Sequence, residues 1–399
     1  MGDFGLVEIT IASAAVLAAA LAFLYWRVRQ ARLRRKARRW ANPANDYAVR
    51  ADWRPSTTTT LNYSSFVYMD VDGDGKYGLA DRPMAGIVVR LFDGQGAFMA
   101  AARSNGGGFA NFKMSATRRR AAIRSPGTYR FSVSVPPGWR ASGANQDQSL
   151  RLSDAPASLV GLVGESLPKP VGLVPGRRLT GRMPAGTETT LSVTGKGEVL
   201  ESRTLAPGVP FRIDLQDRTD EVLISGGGLD RRLALSSYPT DLGLLLPDPI
   251  APDAALHTIG FDDVTTLGLR KVPSGHSGLN WRNLNAMSRD HVKDSEGYVN
   301  GNVSGAHIAY TGSGHPAEFS RERPFGFHSV MLTAAWLMSE GETAVIESWL
   351  GEQQIASDEI VLSALTPVHY APMLKSVTRV RLSTKHHWQL VLDDLILIL

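Results

Sequence analysis

The 399-residue chain contains no cysteine. Disulfide bonds, a thiol nucleophile and cysteine-ligated zinc or iron–sulfur sites are therefore excluded, although this absence fits either side of a membrane. Histidines with HxxH or HExxH spacing are also missing, and no lysine with a following serine or threonine comes after the glycine-rich stretches. These absences remove the metalloprotease and phosphate-loop motifs, and we expect no enzymatic activity.

The basic excess of the chain is confined to one stretch. The formal net charge is +5, and residues 27–39 alone contribute eight lysines and arginines without an acid. The remainder is close to neutral, so a basic nucleic-acid-binding face is not indicated and we expect no nucleic-acid partner. A hydrolytic carboxylate pair stays open from sequence alone, because it depends on the separation of two side chains in space.

An almost uncharged stretch precedes the basic run. Gly5 to Trp26 contains Glu8 as its only charged residue, and as a helix it would extend about 33 Å, enough to cross a hydrocarbon core of roughly 30 Å. A cleaved signal peptide would carry lysine or arginine before its apolar region, and none precedes Gly5. The pattern therefore predicts a single N-terminal transmembrane helix and a membrane partner. The predicted interfacial and lipid-contacting residues are Tyr25, Trp26, Arg27, Arg29, Arg32, Arg34, Arg35 and Lys36.

The basic flank also bears on orientation. Lysines and arginines beside a membrane span remain preferentially in the cytoplasm. The predicted topology is thus a single-pass membrane protein with a short outer N-terminus and cytoplasmic soluble domains. An extracytoplasmic location of these domains is the alternative, and the resemblances described below favour it.

The rest of the chain has the pattern of an all-β protein. Short runs such as FVYMDV, GIVVRLF and TYRFSVSV are separated by turns rich in glycine, asparagine and aspartate, which is typical of tandem antiparallel β-sandwiches. The predicted organisation is a transmembrane helix with its basic run at 1–39, a linker at 40–62, an immunoglobulin-like sandwich at 63–154, a second small β-domain at 155–250 and a jelly-roll-like β-sandwich at 256–399.

The sharpest local motif is DVDGDGKYGLAD at 70–81. Acids at loop positions 1, 3, 5 and 12 and a glycine at position 6 match the oxygen-rich arrangement of a calcium loop. Three adjacent carboxylates repel one another unless a cation lies among them. The predicted calcium ligands are Asp70, Asp72, Asp74, the carbonyl of Lys76, and Asp81. A solvated Asp-Gly hairpin without an ion is the alternative. Aspartate replaces the longer glutamate usual at position 12, so we expect modest affinity.

The segment around this loop resembles a known family. YMDVDGDGKYGLADRPMAGIVVRLFDGQG, then SNGGGFANF and GTYRFSVSVPPGW, resemble the B-repeat domains of serine-aspartate repeat surface adhesins. The resemblance covers about 90 residues, and an insertion around TRRRAAIRSP departs from it. It implies an immunoglobulin-like sandwich that calcium stiffens and that acts as a non-catalytic spacer.

The C-terminal part resembles secreted jelly-roll modules of the carbohydrate-binding type. The residues that carry this resemblance are IGFDD (259–263), GLNW (278–281), GYVNG (297–301), the Ala-Ala-Trp of 334–336 and VLDDL (391–395). In such modules the first and last strands can share a structural calcium, which makes Asp262, Asp263, Asp393 and Asp394 candidates for a second calcium site. Trp281, Tyr298 and Trp336 could stack on a sugar, although aromatic residues of this kind more often pack in a core.

Two functions of different classes follow. The first is a non-catalytic, membrane-anchored docking subunit that holds the partners of an integral membrane protein complex. The second is a surface-exposed carbohydrate-binding or adhesive protein. The opening GDFGLVEITIASAAVLAAALAFLYW is similar to the start of the H subunit of purple-bacterial photosynthetic reaction centres, through Gly2, Asp3, Phe4, Leu6 and the closing aromatics. That similarity implies a reaction-centre assembly as one possible complex.

Overall fold

The structure is a computed structural model. It describes residues 18–32, 34, 62–115, 119–154, 162–164, 166–186, 188–247, 250, 254–266, 268–292 and 296–399. The chain divides into two compact units, Met1–Ala48 and Val49–Leu399.

The described part of the first unit is a helix, α1, over residues 18–32. Its aromatic side chains are exposed, with Phe23 stacked on Trp26 at 5.9 Å between ring centroids. Within the described residues, no helix is both long enough and apolar enough to cross a membrane. Residues 5–17 of the predicted span, the reaction-centre-like residues at 2–6, and Arg35 and Lys36 lie outside the described residues, so the membrane anchor stays a prediction.

The second unit is built almost entirely of β-strands, as the sequence pattern predicts. The strands bury every second side chain where one face meets the core, as in Leu229–Ala234, where buried and exposed residues alternate without exception. Its first part is a sandwich of two five-stranded sheets. One sheet has the order β2-β1-β10-β7 with β5 also paired to β1, and the other has the order β4-β3-β6-β8-β9. The strands are β1 Asn62–Met69, β2 Arg82–Pro83, β3 Val88–Phe92, β4 Phe98–Arg103, β5 Phe109–Lys113, β6 Gly127–Val133, β7 Trp139–Ala141, β8 Asp147–Asp154, β9 Leu162–Gly164 and β10 Val171–Pro175.

The second β-domain contributes seven strands. Strands β13-β12-β15-β16 form a four-stranded sheet, and β14-β11-β17 form one end of a larger sheet. Between them lies an apolar core that includes Leu191, Ile213 and Val222. The strands are β11 Arg178–Arg182, β12 Thr189–Gly195, β13 Glu198–Leu205, β14 Pro210–Asp214, β15 Glu221–Gly226, β16 Leu229–Ala234 and β17 Thr240–Leu244.

The C-terminal part is organised by one long strand, β23. Its first half pairs with β20 and β27, and its second half pairs with β28 and β26. The first strand of this part, β18, pairs with the last, β28. The strands are β18 His257–Ile259, β19 Leu269–Lys271, β20 Asn280–Arg282, β21 Leu284–Ser288, β22 His307–Thr311, β23 Ala317–Ala334, β24 Thr343–Leu350, β25 Gln353–Val361, β26 Val368–Tyr370, β27 Leu374–Thr384 and β28 Leu390–Ile398; the helices are α2 Glu296–Asn300 and 3-10 turns at Ala144–Gln146, His276–Gly278, Arg289–Val292, Gly312–Gly314 and Leu337–Ser339.

The sheet pairings correct the predicted organisation in two respects. Strands β9 and β10 lie beyond residue 154 but complete the first sandwich, where β10 runs parallel to β1. The second β-domain shares a sheet with the C-terminal part through the parallel pair β17 and β26. The prediction of tandem antiparallel β-sandwiches is therefore wrong for these two parallel pairs. Such pairings join segments far apart in the chain, and local sequence patterns carry no information on them.

Candidate metal loop and polar cleft

The aspartate-rich loop leaves the first sandwich at the end of β1. The Asp70 backbone N–H donates to Leu173 O of β10 at 3.0 Å, so the parallel strand pair fixes the point where the loop starts. The Asp70 side chain is buried, with 1% of its surface exposed, whereas Asp72 and Asp74 are exposed. One oxygen from each of the three carboxylates lies within 4.8 Å of the others.

Backbone amides of the loop organise these carboxylates. Asp70 accepts from the N–H of Gly73 at 2.7 Å and of Gly75 at 2.9 Å. Asp74 Oδ1 accepts from the N–H of Lys76 at 2.7 Å. Burial would raise the pKa of Asp70, but the hydrogen bonds outweigh it and lower the pKa. The loop therefore holds Asp70 ionised, with lone pairs directed into the turn.

Two of the loop residues have separate structural roles. Asp81 lies outside the three-carboxylate group, and its two oxygens accept from the N–H of Val71 at 2.9 Å and of Gly78 at 2.7 Å. Burial, with the negative charges of Asp70 and Asp72, raises its pKa. Asp81 thus fixes the backbone of the loop at Val71 and Gly78. Gly75 has φ +77°, and a Cβ there would lie 3.2 Å from Ser142 O, which explains why glycine occupies the sixth position.

Aromatic side chains hold the loop against the sheet. Tyr77 of the loop meets Phe66 edge-on at 4.8 Å and Tyr68 at 5.1 Å between ring centroids. Burial raises the pKa of Tyr68 to about 12, and the neighbouring charges of Asp70 and Asp81 add to that increase. Tyr77 therefore joins the loop to the aromatic side chains of β1.

The same loop borders the second β-domain. Residues 69–73 line one wall of a cleft of about 320 Å³ whose other wall belongs to that domain. Beside it Arg140 forms an ion pair with Asp217 at 2.7 Å, and Arg177 donates to Thr219 O at 2.5 Å. The two domains meet here through polar contacts, so the loop is part of their junction.

A second junction joins the first sandwich to the C-terminal part. Asn300 accepts from Ala85 N–H at 3.0 Å, and its amide donates to Ala85 O at 3.1 Å and to Ala364 O at 2.8 Å. Arg82, immediately after the loop, donates to Asn302 O. The aspartate-rich loop thus borders the second β-domain at one junction, and the residues that follow it contact the C-terminal part at the other.

The aspartates of the second predicted calcium site are arranged differently from those of the loop at 70–81. Asp393 is buried on β28, and its Oδ2 accepts from the N–H of Val303 at 2.7 Å and of Ser304 at 3.0 Å. Burial, with the adjacent charge of Asp394, raises the pKa of Asp393 to about 7. Asp394 accepts from the Ser304 hydroxyl. These two carboxylates hold the loop that precedes β22.

The other two predicted ligands pair with histidines. Asp262 Oδ1 accepts from Ala306 N–H at 2.7 Å and lies 3.0 Å from His307 Nδ1. Asp263 Oδ2 lies 3.7 Å from His276 Nδ1. In the part of the chain that the structure describes, only the carboxylates at 70, 72 and 74 converge as a group of three. The structure therefore does not bring Asp262, Asp263, Asp393 and Asp394 together as a metal site.

The three candidate sugar-stacking residues lie mainly in the core. Trp281 is 5% exposed and donates its indole N–H to His276 O at 2.9 Å, and Tyr298 is 3% exposed. Trp336 is half-buried and packs edge-on against Tyr298 at 5.2 Å. A ring in the core cannot meet a ligand, so the sugar-stacking prediction is wrong for Trp281 and Tyr298.

A larger polar cleft, of about 920 Å³, lies between the second β-domain and β25. At its wall Asp358 is 5% exposed. Its Oδ1 accepts from Leu244 N–H at 2.9 Å, and its Oδ2 accepts from the Tyr370 hydroxyl at 2.8 Å. Burial raises the pKa of Asp358. Gly243 has φ +58°, and a Cβ there would lie 2.2 Å from Asp358 Oδ2, so glycine is required for this carboxylate to occupy its place.

The same cleft carries a second carboxylate and a guanidinium group. Asp241 accepts from Gly243 N–H at 2.8 Å and from the Thr180 hydroxyl at 2.5 Å. Arg182 donates to Ser357 O at 3.2 Å. Local sequence patterns do not reveal this site, because its lining residues are spread from Thr180 to Glu359 and form no local motif.

No protein-family model matches the chain, and no curated protein matches it. Solved structures with local similarity include a mutant form of the shaft pilin spaA of Lactobacillus rhamnosus GG, at 15% identity and a TM-score of 0.21, over 49% of this chain and 100% of the pilin chain. The major pilin of Streptococcus pyogenes matches at 9% identity and a TM-score of 0.21, over 78% and 98% of the two chains. The M60 catalytic domain with two CBM51 domains of Clostridium perfringens ZmpB matches at 7% identity and a TM-score of 0.21, over 87% of this chain and 32% of that one. TM-scores of this size do not establish a common fold.

Proposed function

We propose that the chain is a non-catalytic surface protein of binding or adhesive type, whose β-domains are stiffened by calcium. The observation that carries this proposal is the position of the converging carboxylates at 70, 72 and 74, in a loop that borders the junction of two β-domains. A cation at that position acts on the relative rigidity of the domains as well as on the loop.

The donor set fits calcium. Asp70, Asp72 and Asp74 would supply carboxylate oxygens, and Lys76 a backbone carbonyl, which are the hard oxygen ligands that calcium prefers. When bound, the doubly charged ion would offset most of the repulsion among the three carboxylates. Asp81 would act indirectly, because it lies outside the group of three converging carboxylates and holds the backbone amides of Val71 and Gly78.

The expected affinity favours the extracytoplasmic alternative. Only three carboxylates converge at this loop of the described chain, and sites with few charged ligands fall in the weak class, with Kd values of about 10⁻⁴ to 10⁻³ M in extracellular modules. A site of that strength is loaded only where calcium is abundant, as it is outside cells. The basic run at 27–39 opposes this placement.

Protease treatment of intact cells and of inverted membrane vesicles tests the proposal. For a surface protein, protease in the medium should cleave the β-domains in intact cells that express the full chain. Calcium should slow that cleavage, and a chelator should accelerate it. Protection in intact cells together with cleavage in inverted vesicles would overturn the surface placement.

The basic run supports a second candidate, the membrane-anchored docking subunit. Eight positive charges beside a span predict cytoplasmic β-domains. For this candidate, purification in mild detergent should recover an integral membrane complex of fixed stoichiometry. Recovery of the tagged chain by itself, with protease-sensitive domains on intact cells, would remove it.

A further inference from the structure

We propose that the polar cleft between the second β-domain and β25 binds a neutral oligosaccharide. This inference rests on the proposed binding function and names its ligand class and its site. The cleft has a volume of about 920 Å³, near the upper end of the range of about 300–1,000 Å³ for ligand sites. That space suits several linked sugar rings.

Charges of both signs surround the cleft. Arg182 and Arg212 contribute guanidinium groups, and Asp241, Asp358 and Glu359 contribute carboxyl groups. An anionic ligand would meet the carboxylates and a cationic one the arginines. A neutral ligand with many hydroxyl groups instead donates to the carboxylates and accepts from the guanidinium groups, since each hydroxyl both donates and accepts.

The carboxylates are held in place before any ligand arrives. Asp358 accepts from Leu244 and Tyr370, and Asp241 accepts from Gly243 and Thr180. A carboxylate has about four acceptor positions, so the half-buried Asp241 retains capacity for a ligand hydroxyl. Asp358 is buried and lies 3.6 Å from Arg182, so it positions that guanidinium group instead of meeting the ligand. Fixed acceptors reduce the entropy that binding costs, as specific polar recognition requires.

An aromatic ring adds an apolar contact. Phe211 lines the cleft and packs against the core of the second β-domain, which fixes its position. Its strand, β14, is an edge strand that pairs only with β11 among the described strands. It begins with Pro210 and carries the charged residues Arg212 and Asp214, features that discourage the addition of a further strand. The β14 edge therefore disfavours an extended peptide added to that strand.

Titration calorimetry on the full chain tests the assignment, with neutral hexasaccharides of the β-glucan, xylan, mannan and chitin types as probes. At least one probe should bind with a Kd below about 1 mM. Asp241→Asn keeps the side-chain shape but replaces one acceptor oxygen with an amide NH₂ donor, and it should weaken binding roughly tenfold, the effect of about 1.4 kcal/mol. Arg212→Ala should also weaken binding severalfold. Asp230→Asn, an exposed change on β16, is the matched control and should leave the affinity unchanged.

Two results would overturn the proposal. The first is that no probe binds with a Kd below about 1 mM, although the melting temperature shows that the chain is folded. The second is a Kd that neither Asp241→Asn nor Arg212→Ala alters. Binding should persist in chelator, because the cleft does not include the aspartate-rich loop. If the calcium proposal fails, this binding test therefore still decides the oligosaccharide proposal.

Discussion

The combined substitution Asp72→Asn and Asp74→Asn tests the calcium loop most directly. Both side chains are exposed, and the amide keeps the shape of the carboxylate. In chelator we expect the variant to melt at or slightly above the wild-type temperature, because two like charges beside Asp70 are removed. In calcium the wild type should gain stability and the variant should not.

The size of the effect follows from mass action. With a Kd of about 10⁻⁴ to 10⁻³ M, calcium at about 10 mM stabilises the folded state by roughly 1.4–2.7 kcal/mol. For a compact unit of about 350 residues, each kcal/mol moves the melting temperature by about 1–2 °C. The wild type should therefore melt roughly 1–5 °C higher in calcium than in chelator.

Differential scanning calorimetry of the full chain measures this shift. Asp93→Asn is the matched control, because Asp93 also accepts from backbone amides of a glycine-rich turn, those of Gln95 at 3.0 Å and Ala97 at 2.8 Å, but lies outside the carboxylate group. It should retain the wild-type response to calcium. Equal calcium shifts in the wild type and the double variant would refute the metal loop.

Three further predictions concern stability and anchoring. Burial, with neighbouring His328, lowers the pKa of His369 to about 4. The contribution of neutral His369 to the free energy of unfolding is therefore complete above a pH of about 6.5 and is lost as the pH falls towards about 4. Denaturant unfolding should show a loss of roughly 3 kcal/mol, and His369→Gln should make the free energy of unfolding less dependent on pH in this range. Gly243→Ala should destabilise the fold by more than about 2 kcal/mol, whereas Gly351→Ala, with a similar positive φ but open space, should cost only about 1 kcal/mol; equal losses would contradict the clash with the buried carboxylate. Leu17→Arg combined with Leu21→Arg should abolish membrane retention, because each charge costs roughly 2.5–3.5 kcal/mol on insertion at the centre of a span. Retention of this variant in membranes after alkaline extraction would contradict the predicted anchor.

The sequence alone indicated the features that arise within short segments. Strand alternation and glycine turns predicted an all-β unit, because the period of a half-buried strand is local. The loop at 70–81 was also recognisable, since three carboxylates at alternate positions and a glycine with positive φ form a turn from consecutive residues. The structure brings Asp70, Asp72 and Asp74 together but leaves Asp81 outside their group, where it holds the backbone amides of Val71 and Gly78.

Tertiary structure alone decided which aromatic residues are accessible. Trp281 and Tyr298 matched a sugar-binding pattern in sequence, yet both are buried. Burial depends on what packs above a strand, and two rings of equal hydrophobicity can lie on opposite faces of one sheet. The same limit applies to Asp393, whose carboxylate holds the backbone of residues 303 and 304.

Tertiary structure also decided the strand partners and the polar cleft. The parallel pairing of β10 with β1, and of β17 with β26, joins distant segments and cannot be derived from local alternation. The cleft combines Arg182, Asp241 and Asp358 from three separate strands. Each of these residues lies in a strand pattern that indicates no site. Their side chains line one cleft only because the fold brings the three strands together.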